Sequence, residues 1–504
     1  MLLLGIDVGT TGAKAAVFDA GGNQLGYGFS EYGVSCKKPG RAEQDAEEVW
    51  QATKRVIAEA AKEHGREVGA LSLSAQGDAV IPIDANRRAL APVQLGMDYR
   101  GAGECDECAR MFGDRHLFGI TGMRPHPMNS LIKILWIKNN NPGLYNRTYK
   151  FVTYSDFILA KLGSEEIVID YTMASRTMAF DLIDKQWSKE ILNGLGIPVE
   201  KLARPVPSGM AVGCVPAALV TEMGLREGIK IVSGGHDQTC AALGAGVIRE
   251  NLALDSHGTA EVLSAAFLSP RLDDTMYDSF YPCYYHAVPG MYFTFALNHT
   301  GGILLKWFVD EFCYRDACET AKTNERLYER VLANSPDAPS PVMVLPYFNG
   351  SGTPRCDIKM KGGILGLTMA TNRYDIARAI MEALSFELRI NIELMAKAGV
   401  HMSELRCVGG GARSRIGLQN KADITGLPVL TLRVREAACL GAAMLAGIAI
   451  GVYNDASDAA SVADPVLRYE PRAHQYRMYD ERYCLYKKSY DIIKPLLYSI
   501  SGVV

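Results

Sequence analysis

Apolar runs broken by glycine punctuate the chain from its first residues. "LLLGIDVGTTGAKAAVFDAGGNQL" sets an apolar run, a Gly-Thr-Thr interruption, a second apolar run and a break at Gly21-Gly22-Asn23. This pattern predicts two strands joined by a turn. "DAEEVWQATKRVIAEAAKEHG" carries apolar positions at helical spacing, opens on acidic residues, and predicts a helix that stops at Gly65. "VGALSLSAQGDAVIPIDANRRAL" returns to strands. "IVSGGHDQTCAALGAG" starts as a buried strand, breaks into two glycines, and continues in small residues suited to a close-packed helix. Strands and helices mixed in this way predict an α/β protein.

The opening pattern returns in the second half. "LALDSHGTAEVLSAAF", Leu252 to Phe267, again leads apolar residues into a Gly-Thr turn and a second strand, with Gly258-Thr259 opposite Gly9-Thr10. The repeat predicts two related halves facing one cleft, 1–247 and 248–504, with the junction near Val247 to Asn251. Later, "ELRCVGGGARSRIGLQNKADITG" reads as a strand, three glycines and an amphipathic helix, followed by the short strand "VLTL". The last patterned stretch, "AACLGAAMLAGIAIGVY", is uncharged and approaches the roughly 17-residue lower limit of a membrane span. Its alanines and glycines predict a buried helix packed close to its neighbours instead.

Composition narrows the picture. Hydrophobic residues make up 48% of the 504 and charged residues 22%, as in soluble globular proteins, and this length predicts more than one domain. A formal net charge of -3 gives no electrostatic reason to expect nucleic acid or an anionic membrane as partner. Twelve cysteines are scattered, and the one close pair, Cys105 and Cys108, has no second pair to complete a zinc site. This usage and the absence of a basic leader predict a cytoplasmic protein.

The candidate chemistry sits at the glycine corners. Gly-Thr turns gather backbone N–H groups and hydroxyls that suit phosphate oxygens, and three glycines before a helix let the backbone approach a flat or anionic group. Asp7, at a strand end beside such a turn, either stabilises the turn or holds Mg²⁺ through water. Ser256 stands at the equivalent place in the repeat, so the halves are not equivalent. Asp237 and Gln238 place a carboxylate and an amide at a strand-to-helix corner, where burial demands that they be paired or used. No Walker-type phosphate loop, zinc helix or nucleophile elbow is present.

These segments together resemble the FGGY carbohydrate kinase family. They run in order: "GIDVGTTGAK", "LSLSAQGDAVIPIDANRRALAP", "DYTMASRTMAFD", "SGGHDQTCAALGAGV", "SHGTA", "LPYFNGSGTP", "GGILGLTMATNRYDIARAIMEALSFELR", "VGGGARSRIGLQNKADITGLPV" and "VREAACLGAAMLAGIAIG". The resemblance implies two actin-like (ribonuclease-H-like) domains about a central cleft. It implies an ATP- and Mg²⁺-dependent kinase acting on a hydroxyl of a small sugar or polyol, such as a xylulose, glycerol or erythritol.

Carried over position by position, it makes Asp237 the catalytic base and Asp7 the Mg²⁺ residue. It places Thr10, Thr11 and Lys14 at the first phosphate segment and Gly258 and Thr259 at the second. Gly302 falls near the nucleotide, and Gly410, Gly411 and Ser414 at the adenosine. Gln76, Asp78, Asp98, Arg100 and Gln238 fall on the substrate side. The chain has Gln76-Gly77-Asp78 where glycerol kinases resemble "QRE" and xylulokinases "QMH", and His236 where a small residue is commoner. His236 contacts substrate, tunes Asp237 or is structural. A homo-oligomer such as a dimer is expected. The rival readings are an actin- or chaperone-like ATPase, or an inactive regulator of the same fold.

Overall fold

The computed structural model describes residues 1–323 and 327–502. Two mixed sheets dominate it. The first contains β1 (Leu2–Val8), β2 (Gly12–Phe18), β3 (Gln24–Glu31), β4 (Val68–Ala75), β5 (Ala211–Cys214) and β6 (Lys230–His236). The second contains β7 (Asn251–His257), β8 (Glu261–Phe267), β9 (Tyr284–Tyr285), β10 (Tyr292–Asn298), β11 (Met402–Val408), β12 (Val429–Leu432) and β13 (Pro465–Tyr469).

The repeat seen in the sequence is a repeat of topology. The first sheet runs β3-β2-β1-β4-β6-β5 and the second β10-β8-β7-β11-β12-β13, with β9 added beyond β10. In both, the leading hairpin and the strand after it pair antiparallel, the two strands on the other side of the first strand run parallel, and the outermost strand is antiparallel. β4, "VGALSLSA", is buried at every position, and β1 at all but Asp7, because both strands lie inside their sheet with helices over the faces.

Helices follow the apolar pattern. α1 (Ala46–Ala60) is capped by Asp45, whose carboxylate accepts from Glu47 N at 2.8 Å. It ends a turn before the expected Gly65, because residues 61–64 turn toward a short 3₁₀ segment, Gly65–Glu67. α2 (Tyr171–Arg176) is capped by Asp170. α3 (Asp237–Gly244) leaves β6 directly, and α4 (Arg373–Lys397), α5 (Arg415–Thr425) and α6 (Ala437–Ala449) belong to the second half of the chain. Cys105 and Cys108 are buried in a helix, where burial pushes their thiols up to about 12 and about 11. They are therefore protonated and inert at neutral pH.

The two small-residue helices join the halves. α6 lies on β1 so closely that a Cβ on Gly5 would sit 1.7 Å from Cys439 O. α3 and α6 cross at Gly244 and Gly441, where a Cβ on either would sit 1.9 Å from a carbonyl oxygen of the other helix, Ala437 O or Cys240 O. Only glycine permits this main-chain contact. Among the described residues no helix is long and apolar enough to cross a membrane.

Candidate functional site

The turn between β1 and β2 is tightly tied. Gly9 N donates to Gly12 O at 3.0 Å, and Gly9 O accepts from Tyr32 OH at 2.6 Å. Gln76 closes over it, its Nε2 donating to Gly9 O (3.1 Å) and its Oε1 accepting from Thr10 Oγ1 (3.0 Å). The Gln76 amide is thus engaged on the turn at both ends. Thr11 is exposed. Asp7 receives one hydrogen bond to its carboxylate among the described residues, from Ser74 Oγ at 2.7 Å. Burial raises the pKa of Asp7, with Ser74 and Lys14 opposing. Lys14 Nζ pairs with Glu436 Oε2 at 2.7 Å, just before α6. Burial pulls the Lys14 pKa down, and the combined pull of Glu436 and Asp7 more than offsets it.

Asp237 opens α3 with its side chain 33% exposed. Its carboxyl is pushed up to about 7, first by burial and next by the charge of Asp7, with Arg176 working against both. Oδ1 accepts from Gln238 N at 2.6 Å, and His236 Nε2 lies 3.0 Å from the same oxygen. His236 is held well below the ordinary histidine range by burial and then by Arg176, so it is neutral.

Arg176, which the sequence reading did not single out, lies between the carboxylates. Its Nη2 donates to Asp78 Oδ2 at 2.5 Å, and its guanidinium carbon sits 5.2 Å from the Tyr284 ring centroid and 5.3 Å from that of Phe295. Asp78 has φ 66°, uncommon for a residue with a side chain, at the corner after β4. Four buried atoms here lack a hydrogen-bond partner: Asp78 Oδ1, Arg176 Nε, Arg176 Nη1 and Gln238 Oε1. Buried polar atoms are rarely left unpaired, and here both donors and acceptors are.

Asp98 and Arg100 are closed on each other. Arg100 donates to Asp98 through Nε (2.8 Å) and Nη2 (2.6 Å), and Ala42 N donates to Asp98 Oδ2 (2.8 Å). The Arg100 guanidinium also pairs with Glu43 and lies 5.0 Å from the Trp136 ring centroid. Arg100 keeps its charge, because Asp98 and Glu43 more than offset burial.

In the second half, Gly258, Thr259 and Gly302 come together. Gly302 N donates to Gly258 O at 2.9 Å and Gly301 N to Thr259 O at 2.9 Å, at the start of the helix Gly302–Phe312. The Gly409–Gly411 segment abuts them. Gly409 has φ 85°, and a Cβ on it would meet His257 O at 2.7 Å, while one on Gly411 would meet the His257 ring at 2.4 Å. Gly410 has nothing within 4 Å where its Cβ would be, leaving open room above the backbone. Ser414 Oγ accepts from Gly417 N at 3.1 Å as the cap of α5, which leaves its O–H free to donate.

Below this cradle lies a buried charge cluster that sequence reasoning missed. The ligand-type atoms of Asp255, His257 and Glu261 lie within 4.8 Å of one another, but Lys421 sits among them and donates to Asp255 and to Glu261 (2.7 Å). The lysine ammonium supplies the cation there.

Residues 2–244 match the FGGY family of carbohydrate kinases, N-terminal domain, and residues 256–450 match its C-terminal domain. The chain is 29% identical over 504 residues to a xylulose kinase of Staphylococcus epidermidis, covering 98% of this chain and 97% of that protein. It is 30% identical over 486 residues to a glycerol kinase of Koribacter versatilis, covering 93% and 94%. The fold superposes on the ligand-bound xylulose kinase of Lactobacillus acidophilus with a TM-score of 0.88 at 23% identity, covering 98% of each chain.

Proposed function

The chain belongs to the FGGY family of carbohydrate kinases, and on that footing we propose that it moves the γ-phosphoryl group of ATP to a hydroxyl of a ketopentose or short alditol. The observation that carries this reading is the cluster of unpartnered buried atoms beside Asp237. Asp78 Oδ1 and Gln238 Oε1 accept, and Arg176 Nε and Nη1 donate, so neighbouring hydroxyls, or a hydroxyl next to a carbonyl, would satisfy them. An ATPase that works on a protein partner would leave these atoms without use.

Asp237 is the base in this reading. A carboxyl held at about 7 is part ionised at neutral pH, so it can take the proton of the acceptor hydroxyl as the new O–P bond forms and then release it to solvent. Arg176 keeps it from rising further, and Asp78 holds Arg176 in place. We assign the sugar contacts to Asp78, Arg176 and Gln238. Gln76 shapes the turn, and the Asp98–Arg100 pair braces the insertion between β4 and β5.

The nucleotide would lie on residues whose geometry suits it. Gly258, Thr259, Gly302, Gly410, Gly411 and Ser414 would supply a backbone cradle, with open room at Gly410, and we assign Thr10, Thr11 and Lys14 to the phosphates from the first half. Asp7, with a single hydrogen-bond donor on its carboxylate, would hold Mg²⁺ through water. Bound there, Mg²⁺ supplies neutralising charge for the transferring phosphoryl group.

A panel of ketoses, aldoses and alditols, with coupled detection of ADP, tests the reading. Acceptor-dependent ADP release from one ketopentose or short alditol supports it. ATP consumption that ignores every acceptor would overturn it.

A further inference from the structure

His236 is hydrogen-bonded through its backbone and through Nδ1, and its Nε2 lies close against Asp237. Its backbone N donates to Thr172 Oγ1 at 2.7 Å, and its backbone O accepts from Thr239 Oγ1 at 2.8 Å. On the ring, Nδ1 lies 3.3 Å from Tyr284 OH and Nε2 lies 3.0 Å from Asp237 Oδ1. The two rings meet edge to face, with centroids 5.6 Å apart.

These contacts determine the tautomer. Once Asp237 is ionised, above about pH 7, its carboxylate only accepts, so the nitrogen that faces it carries the one proton of the neutral ring. Nδ1 is then bare and accepts from the buried phenol of Tyr284. The proton chain runs from Tyr284 through His236 to Asp237, in one direction.

Gly77 makes the room for this arrangement. A Cβ there would lie 2.8 Å from Arg176 Nε, 2.9 Å from His236 Cδ2 and 3.0 Å from His236 Nε2. A side chain at position 77 would therefore push on the His236 ring and on Arg176, and glycine leaves both in place.

We propose that His236 is a positioning residue for the base: its Nε2–H, fixed by Tyr284, pins Asp237 Oδ1 and leaves Oδ2 as the oxygen that receives the acceptor's proton. Oδ1 already takes the Gln238 N–H, so the second donor locks the carboxylate plane. Tyr284 comes from the second sheet, so the aim of the base depends on the seating of the second half against the first. This inference rests on Asp237 being the base.

The test combines kinetics on the full chain, using the best acceptor of the panel, with ¹⁵N-histidine NMR. His236→Ala should lower kcat by about ten- to a hundredfold, the scale of a misplaced reacting group, with the KM for ATP unchanged. His236→Gln, whose amide nitrogen can reach the place of Nε2, should restore most of the rate. Tyr284→Phe should cost several-fold in kcat and let the tautomer become mixed. In the wild type at pH 8 or above, where Asp237 is ionised, the His236 resonances should show a protonated Nε2 and a bare Nδ1. A Gln variant as slow as the Ala variant would reduce His236 to packing. A protonated Nδ1 alongside normal turnover would overturn the positioning role alone. Wild-type protein that turns over no acceptor would sink the base assignment, and this proposal with it.

Discussion

Arg176 and Asp78 meet at 2.5 Å across 98 residues of sequence, with side chains 3% and 5% exposed. Each leaves polar atoms unpartnered, so the pair is half-satisfied in the absence of a ligand. Asp78→Asn keeps the shape but removes the charge, and kcat/KM for the acceptor should fall by roughly tenfold or more, as for a lost charged hydrogen bond. The KM for ATP should stay put. Asp78→Ala should also destabilise the fold by about 3–5 kcal/mol, because it strands a buried guanidinium. Steady-state kinetics and denaturant unfolding check both arms, and unchanged acceptor kinetics would return Asp78 to a local role at its corner.

Asp237→Asn removes the proton acceptor while keeping size and most hydrogen bonding. Turnover should drop by at least about a hundredfold, with nucleotide affinity nearly unchanged. In the wild type, kcat/KM should fall on the acid side as pH drops through about 7, where the carboxylate takes up its proton. A rate flat between pH 6 and 8 would remove Asp237 from the proton transfer.

The same substitution should stabilise the ligand-free protein. A carboxyl whose folded pKa lies near 7, against 3.8 for its ordinary value, takes up a proton on folding within that window. Stability is therefore lost as pH rises through the window, and the loss is complete above about 7. Asn carries no such penalty, so its Tm advantage over the wild type should grow from pH 5 to pH 8. Equal Tm differences at the two pH values would show that the Asp237 charge is not resisted by its surroundings.

A kinase must keep water from taking the place of its sugar, and closure around bound acceptor achieves this. Small-angle scattering should show a smaller radius of gyration with acceptor and a non-hydrolysable ATP analogue together than with either alone. Superimposable profiles in all states would exclude a large closure.

Much of this frame was legible in the residues. The Gly9-Thr10 and Gly258-Thr259 hairpins announce themselves because strand, turn and strand are contiguous, whereas the shared strand order joins parallel strands far apart in the chain and was not read. Asp7 and Asp237 stand at strand ends, where polar residues interrupt apolar runs. Arg176 was not legible, because an arginine in a short helix reads as solvent-facing until a carboxylate 98 residues away is folded against it. Tyr284 was hidden for a similar reason: an aromatic residue in a β-strand reads as core packing. Asp98 and Arg100 were placed on the substrate side by family resemblance alone, and the fold adds that the two pair with each other from two residues apart.

Where α3 and α6 cross, the facing atoms are main chain, with Gly244 against Ala437 O and Gly441 against Cys240 O. Helices usually lock through ridges of side chains set into grooves, and turning one against the other then forces rotamers to change. At the two glycines there are no such teeth. Turning one helix on the other is therefore resisted beside the crossing and not at it, by the side chains of Leu243, Leu440 and Met444 in one buried cluster, and farther out by the Lys14–Glu436 ion pair and the Tyr284–His236 hydrogen bond.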